Sequence, residues 1–174
     1  MFKFNFRIAI RQLIGFVLFL ILFPFAINAQ QMTKISGKMT CANVEGKAFE
    51  NVSSEGHRFS ISQAEGININ AGSNLFMDGA QVMNTSFADL INGNGPYQGY
   101  IKLVKKDDAA MCKWQGKITT TLIDGIPMVT FEGTFTYIDG SGAFRNIKGK
   151  GTYKGKFISK NIYLVEWEGE YSTN

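Results

Sequence analysis

Polar and apolar residues alternate one for one through much of the C-terminal half of the chain. Over 129–137, Val129, Phe131, Gly133, Phe135 and Tyr137 hold one phase, while Thr130, Glu132, Thr134 and Thr136 hold the other. Over 163–171, Tyr163, Val165, Trp167, Gly169 and Tyr171 oppose Leu164, Glu166, Glu168 and Glu170. A period of two puts successive side chains on opposite faces of a strand, so each stretch has one dry and one wet face. The same pattern runs through Ile35, Gly37, Met39 and Cys41, and again through Trp114, Gly116 and Ile118.

Extending this reading predicts strands near 33–41, 57–63, 66–70, 75–84, 97–105, 112–122, 127–138, 143–157 and 160–172. Turns are predicted at Asp124-Gly125, Asp139-Gly140 and Ser159-Lys160. Only the window 83–91 hints at helical spacing. About eight one-sided strands in a flat sheet would leave an apolar face in water, so the sheet has to close on itself or fold over. Glycines recur on the dry phase at Gly116, Gly133, Gly149, Gly151, Gly155 and Gly169, where they leave room for aromatic neighbours and allow bending. The expected fold is all-β, a closed antiparallel barrel of about eight strands, with a β-sandwich as the alternative.

The first 29 residues read differently. Residues 1–12 are basic without an acid, 13–23 are apolar apart from Gly15, and Pro24, Ala26 and Ala29 follow. This is the order of a cleavable secretory signal, and the apolar stretch is shorter than the roughly 20 residues that span a bilayer. The expected organisation is a signal peptide over 1–29 and a single domain over 30–174, exported to a periplasm or the exterior. No integral membrane segment is expected after cleavage. The formal charge of +4 shrinks accordingly, because Lys3, Arg7 and Arg11 fall in the signal and the remainder has 15 basic against 14 acidic residues. A near-neutral domain lacks the basic excess of a nucleic-acid binder. The run Lys148, Lys150, Lys154 and Lys156 is read instead as cross-strand partners for Glu166, Glu168 and Glu170, with Lys148 and Lys150 facing Glu170 and Glu168 to within one register step.

Two cysteines, Cys41 and Cys112, lie in the exported part, and an oxidising compartment favours a disulfide between them. No hydrolase, phosphate-loop or metal motif is present, and no cofactor or metal is expected. The single histidine, His57, shares its phase with Phe59 and Ile61 and is a weak catalytic candidate if that phase points into a barrel mouth. Glu55 and Asp78 offer carboxylates near turns. The dry-face aromatics Trp114, Phe131, Phe135, Tyr153, Trp167 and Tyr171 are the candidate ligand-binding residues, because an eight-stranded barrel is either filled by such rings or keeps a pocket between them.

The segment Gly140-Ser-Gly-Ala-Phe144, followed after four residues by Gly149, resembles the Gly-Ser/Thr-Gly-x-Phe-x4-Gly signature of the allene oxide cyclase and dirigent families. The resemblance implies an eight-stranded antiparallel barrel with an elongated apolar cavity, trimeric assembly, and steering of a cyclisation or radical coupling largely by shape. None of those families' catalytic residues is matched to a position in this chain. The expected function is binding of a small hydrophobic or aromatic ligand by an exported barrel. An allene oxide cyclase-like isomerase or cyclase and a secreted structural or interaction module are the alternatives.

Overall fold

The computed structural model describes residues 31–50 and 55–173, and the expected signal segment lies outside the described residues. The described residues form eight strands: β1 (Thr33–Glu50), β2 (His57–Asn70), β3 (Gln81–Ile91), β4 (Gly95–Lys105), β5 (Asp108–Ile123), β6 (Ile126–Ser141), β7 (Lys148–Phe157) and β8 (Ile162–Ser172). Each strand pairs antiparallel with the next in the chain. β8 returns to β1 through an unbroken register from Thr33 opposite Tyr171 to Ala42 opposite Ile162, so the sheet closes as a barrel and has no free edge. The sandwich alternative is thereby excluded.

Turn chemistry sets the hairpins at one end. Asn92 and Gly93 between β3 and β4, and Asp124 and Gly125 between β5 and β6, all have positive φ, as tight two-residue hairpin turns require. At the other end β4 and β5 are joined by the two residues Lys106 and Asp107, while the β2–β3 and β6–β7 connections are longer and fold inward. Residues 71–80 between β2 and β3 carry Phe76, Met77 and Ala80 into the barrel end, where all three are buried. A short 3-10 turn, Gly142–Phe144, adds Phe144 above them. The expected turn at Asp139-Gly140 is instead strand, and the chain reverses two residues later at Gly142, whose φ is +60°.

The inward phase is filled by a repeated device in which a large ring lies against a glycine directly across the ladder. Trp167 covers Gly37, Trp114 covers Gly99, Tyr153 covers Gly133, Phe135 covers Gly151 and Phe131 covers Gly155, and each pair is a direct cross-strand partner. A side chain at any of these glycines would meet the ring, so the alternation of glycine and aromatic is a packing code for the inner wall.

Outside, the expected charge ladder forms one step further along. Lys150 faces Glu170 and Lys154 faces Glu166, while Lys148 faces Ser172. Glu166 lies between Lys38 on β1 at 3.0 Å and Lys154 on β7 at 3.7 Å, and these cations hold its carboxyl below the usual range. The outer face of β2 and β3 is different in kind, with Phe59, Ile61, Ile67, Ile69 and Phe87 exposed.

Three windows depart from expectation, the first two because of that apolar exterior. The windows 57–63 and 66–70 are one strand, β2. The window 83–91 is strand β3, whose outward Met83, Phe87 and Ile91 mimic helical spacing. Residues 75–80 belong to the inward connection and not to a strand.

Candidate functional site: a cavity open at one end of the barrel

With one end plugged by Phe76 and its neighbours, a cavity of about 980 Å3 runs from the barrel centre to the opposite rim. Trp114, Phe131, Phe135, Tyr153 and Trp167 line it, five of the six aromatic residues expected to do so. Tyr171 is elsewhere. Its ring packs on Phe76 at 4.9 Å and on Phe144 at 5.9 Å between centroids, inside the plug. Tyr97, Tyr137, Tyr163 and Phe157 also line the cavity. Tyr97 was obscured by its surroundings in sequence, because the short alternation Tyr97, Gly99, Ile101 begins within a turn-rich segment.

The wall is neutral below the rim. The charged residues that border the cavity are Glu45, Lys47, Arg58 and Lys160, from the β1–β2 and β7–β8 end of the barrel. Deeper in, the titratable groups are phenols and a thiol, and burial raises each of them. Tyr97, Tyr137, Tyr153 and Tyr163 are pushed above the ordinary tyrosine value, and Cys112 is pushed up to about 12. All stay protonated at neutral pH, so the cavity presents rings and hydroxyls without formal charge.

One polar network crosses this wall. Trp114 Nε1 donates to Asn84 Oδ1 at 3.0 Å, and Asn84 Nδ2 donates to the Tyr163 hydroxyl at 3.0 Å. The hydroxyls of Tyr97 and Tyr153 are buried and make no hydrogen bond among the described residues. Asn84 begins a glycosylation sequon, Asn84-Thr-Ser, yet its side chain is committed to the interior of the barrel.

The remaining expected residues fall outside the cavity. His57 lies on the outer phase of β2, where its Nε2 is 2.6 Å from Asp89 Oδ1 and its ring is 4.6 Å from that of Phe59. Phe59 and Ile61, which share its phase, face outward, and the phase that enters the barrel is that of Ser60, Ser62 and Ala64. Asp78 sits in the plug connection, where its carboxylate accepts from the Asn70 backbone N–H at 2.9 Å. Glu55 is exposed near the β1–β2 connection.

Cys41 and Cys112 are free and buried rather than bridged. Cys41 is on β1 and Cys112 on β5, and in a ring of eight strands these are as far apart as two strands can be. A disulfide needs Cα atoms within about 7 Å, which opposite walls of a barrel do not allow. No group of His, Cys, Asp and Glu side chains among the described residues is arranged to hold a metal ion.

No family model matches the chain, and no curated protein sequence matches it. Among solved structures it is similar to two pterocarpan synthase dirigent proteins. One is 11% identical over 86% of this chain and 93% of the other, with a TM-score of 0.42. The second is 13% identical over 82% and 96%, also with a TM-score of 0.42.

Proposed function

We propose that this chain binds one small, uncharged, largely aromatic or apolar molecule in the open half of its barrel, without turning it over. The observation that carries the reading is the cavity itself. About 980 Å3 of space, walled by tilted and edge-to-face rings and sealed at one end, is the size and chemistry that takes up a drug-sized apolar ligand. A molecule placed there exchanges water for the faces of Trp114, Tyr97 and Phe131, at roughly 25 cal/mol for each Å2 of apolar surface removed from water.

Binding is favoured over turnover by the protonation of the wall. General acid or base catalysis works best with a group whose pKa lies near the working pH, whereas Cys112 and the interior tyrosines are all raised away from neutrality. The order of residues 1–29 supports placing this binding outside the cytoplasm.

The test is an equilibrium titration of the purified protein with Nile red, a neutral apolar dye. Saturable uptake with one site per chain, suppressed when the cavity is filled by Ile118→Trp, is expected. Absence of saturable uptake would overturn the reading.

A further inference from the structure

The barrel contains the same three-residue arrangement twice, and one copy is already occupied. On the plugged side, Trp167 lies over Gly37, with Cζ2 2.5 Å from where a Cβ would be, and its Nε1 donates to Asn68 Oδ1 at 3.0 Å. On the open side, Trp114 lies over Gly99 with the same ring atom at the same 2.5 Å, and its Nε1 donates to Asn84 Oδ1 at 3.0 Å. The ladders show that this is one pattern. Gly37 is paired with Trp167 and Gly99 with Trp114. Asn68 is paired with Met39, two residues after Gly37, and Asn84 with Ile101, two residues after Gly99. In the pairing register, a half-turn about an axis between β2 and β3 carries one set onto the other and turns the barrel end for end.

What fills the first copy is the plug. The ring of Phe76 stands edge-on to Trp167 with centroids 6.0 Å apart, and it also packs on Tyr171 at 4.9 Å. Both donors of the Asn68 amide are taken up by backbone carbonyls, Phe76 O at 3.3 Å and Met77 O at 2.9 Å. The plug thus presents an aryl ring with an acceptor oxygen close by to a Trp–Asn pair.

In the second copy nothing among the described residues plays that part. Asn84 lines the cavity, one N–H of its amide goes to Tyr163, and the other N–H makes no hydrogen bond among the described residues. An amide nitrogen has two protons to donate, and one left over at the wall of an apolar cavity is a strong point of attachment for an acceptor.

We infer that Asn84 Nδ2 is the polar anchor of the cavity, and that the ligand is an uncharged aryl compound whose acceptor oxygen, of the carbonyl type, bonds to it while its ring packs against Trp114. This rests on the binding function proposed above and specifies the ligand chemistry of the same site. The Trp114–Asn84 bond fixes the amide orientation, because Oδ1 accepts from the indole and Nδ2 must then face Tyr163 and the cavity.

The experiment compares benzophenone with diphenylmethane, which differ only in carbonyl against methylene, by equilibrium dialysis against the full chain. Benzophenone is expected to bind about tenfold tighter, as one hydrogen bond in a dry site confers. In Asn84→Leu the preference for benzophenone over diphenylmethane is expected to vanish. Infrared difference spectra of 13C-carbonyl benzophenone provide a readout on the unmodified protein should that variant not fold, and the bound carbonyl stretch is expected at lower wavenumber than in hydrocarbon solvent. Equal binding of the two probes, or an unshifted stretch, would overturn the anchor and leave apolar binding standing. A stretch that stays lowered in Asn84→Leu would also overturn it. Failure of both probes to bind would overturn the anchor and the binding function together.

Discussion

Trp167 lies against Gly37, its direct partner across the β1–β8 ladder that closes the barrel. A Cβ at position 37 would sit 2.5 Å from Trp167 Cζ2 and 2.9 Å from the Ile69 carbonyl oxygen. Neither neighbour is the free end of a flexible chain. Gly37→Ala is therefore expected to cost about 2–3 kcal/mol in urea unfolding, the upper part of the roughly 1–3 kcal/mol that forcing atoms into a packed core costs. Gly79→Ala is the comparison. It has φ of +74° but nothing within 4 Å, so only the roughly 1–2 kcal/mol of left-handed strain applies. A smaller loss at 37 than at 79 would contradict the packing code.

The cysteines make a prediction about pH. Burial pushes Cys41 up to about 11 and Cys112 up to about 12, both from 9.0. A thiol harder to ionise in the folded state than in the unfolded one leaves the folded protein with more bound protons above pH 9, so stability falls as pH rises there. Each group contributes a slope of about 1.4 kcal/mol per pH unit between its two values. Thermal unfolding followed from pH 6 to 11 should show a plateau to about pH 9 and a steep decline beyond. Two thiols should titrate in denaturant without reductant, and reductant should leave the melting temperature unchanged. A reductant-sensitive melt would contradict the separation of β1 from β5.

Two hydroxyls separate satisfied from unsatisfied polar groups. Tyr153 buries its hydroxyl without a hydrogen bond, next to Gly116 and Gly133. Tyr163 accepts one from Asn84. Removing an unmet polar group is neutral or favourable, whereas removing a partner leaves its mate unmet. Tyr153→Phe is expected to hold or raise stability by up to about 1 kcal/mol, and Tyr163→Phe to lower it by about 1 kcal/mol. Denaturant midpoints at constant slope measure both, and the reverse order would refute the assignment.

How much of this was legible in the sequence turned on whether polarity reported the inside of the barrel. Along β6 and β8 it did, because Thr130, Glu132, Glu166 and Glu168 face water and Phe131, Phe135, Val165 and Trp167 do not. Along β2 and β3 it did not. Phe59, Ile61 and Phe87 are apolar and outside, while Ser60, Ser62, Asn84 and Ser86 face the cavity. The rule that dry residues point inward therefore assigned His57 to the wrong phase. The aromatic wall was legible because its rings alternate with glycines, but the plug was not. Phe76 and Met77 sit in a connection, and no periodicity marks a loop that folds into a barrel end. The irregularity between Asn43 and Glu45, which shifts the β1 phase near the rim, also lacks a local signature.

His57 supplies a prediction about what the cavity does not use. Its partner Asp89 and its ring neighbour Phe59 are on the outer surface. His57→Ala should change the affinity for Nile red by less than about twofold. A partly exposed surface pair of this kind contributes roughly 0–1 kcal/mol, so the stability change should stay near that range. A large loss of dye binding with stability intact would place the histidine at the ligand.

The account stands or falls on whether the open half of the barrel takes up an uncharged aryl molecule. The most direct measurement is a crystal structure of the protein soaked with 1-bromonaphthalene, read from the anomalous signal of bromine. The predicted result is one strong peak inside the barrel, bounded by Tyr97, Trp114 and Phe131. A cavity left without bromine, or bromine found only on the outer face of β2 and β3, would contradict it.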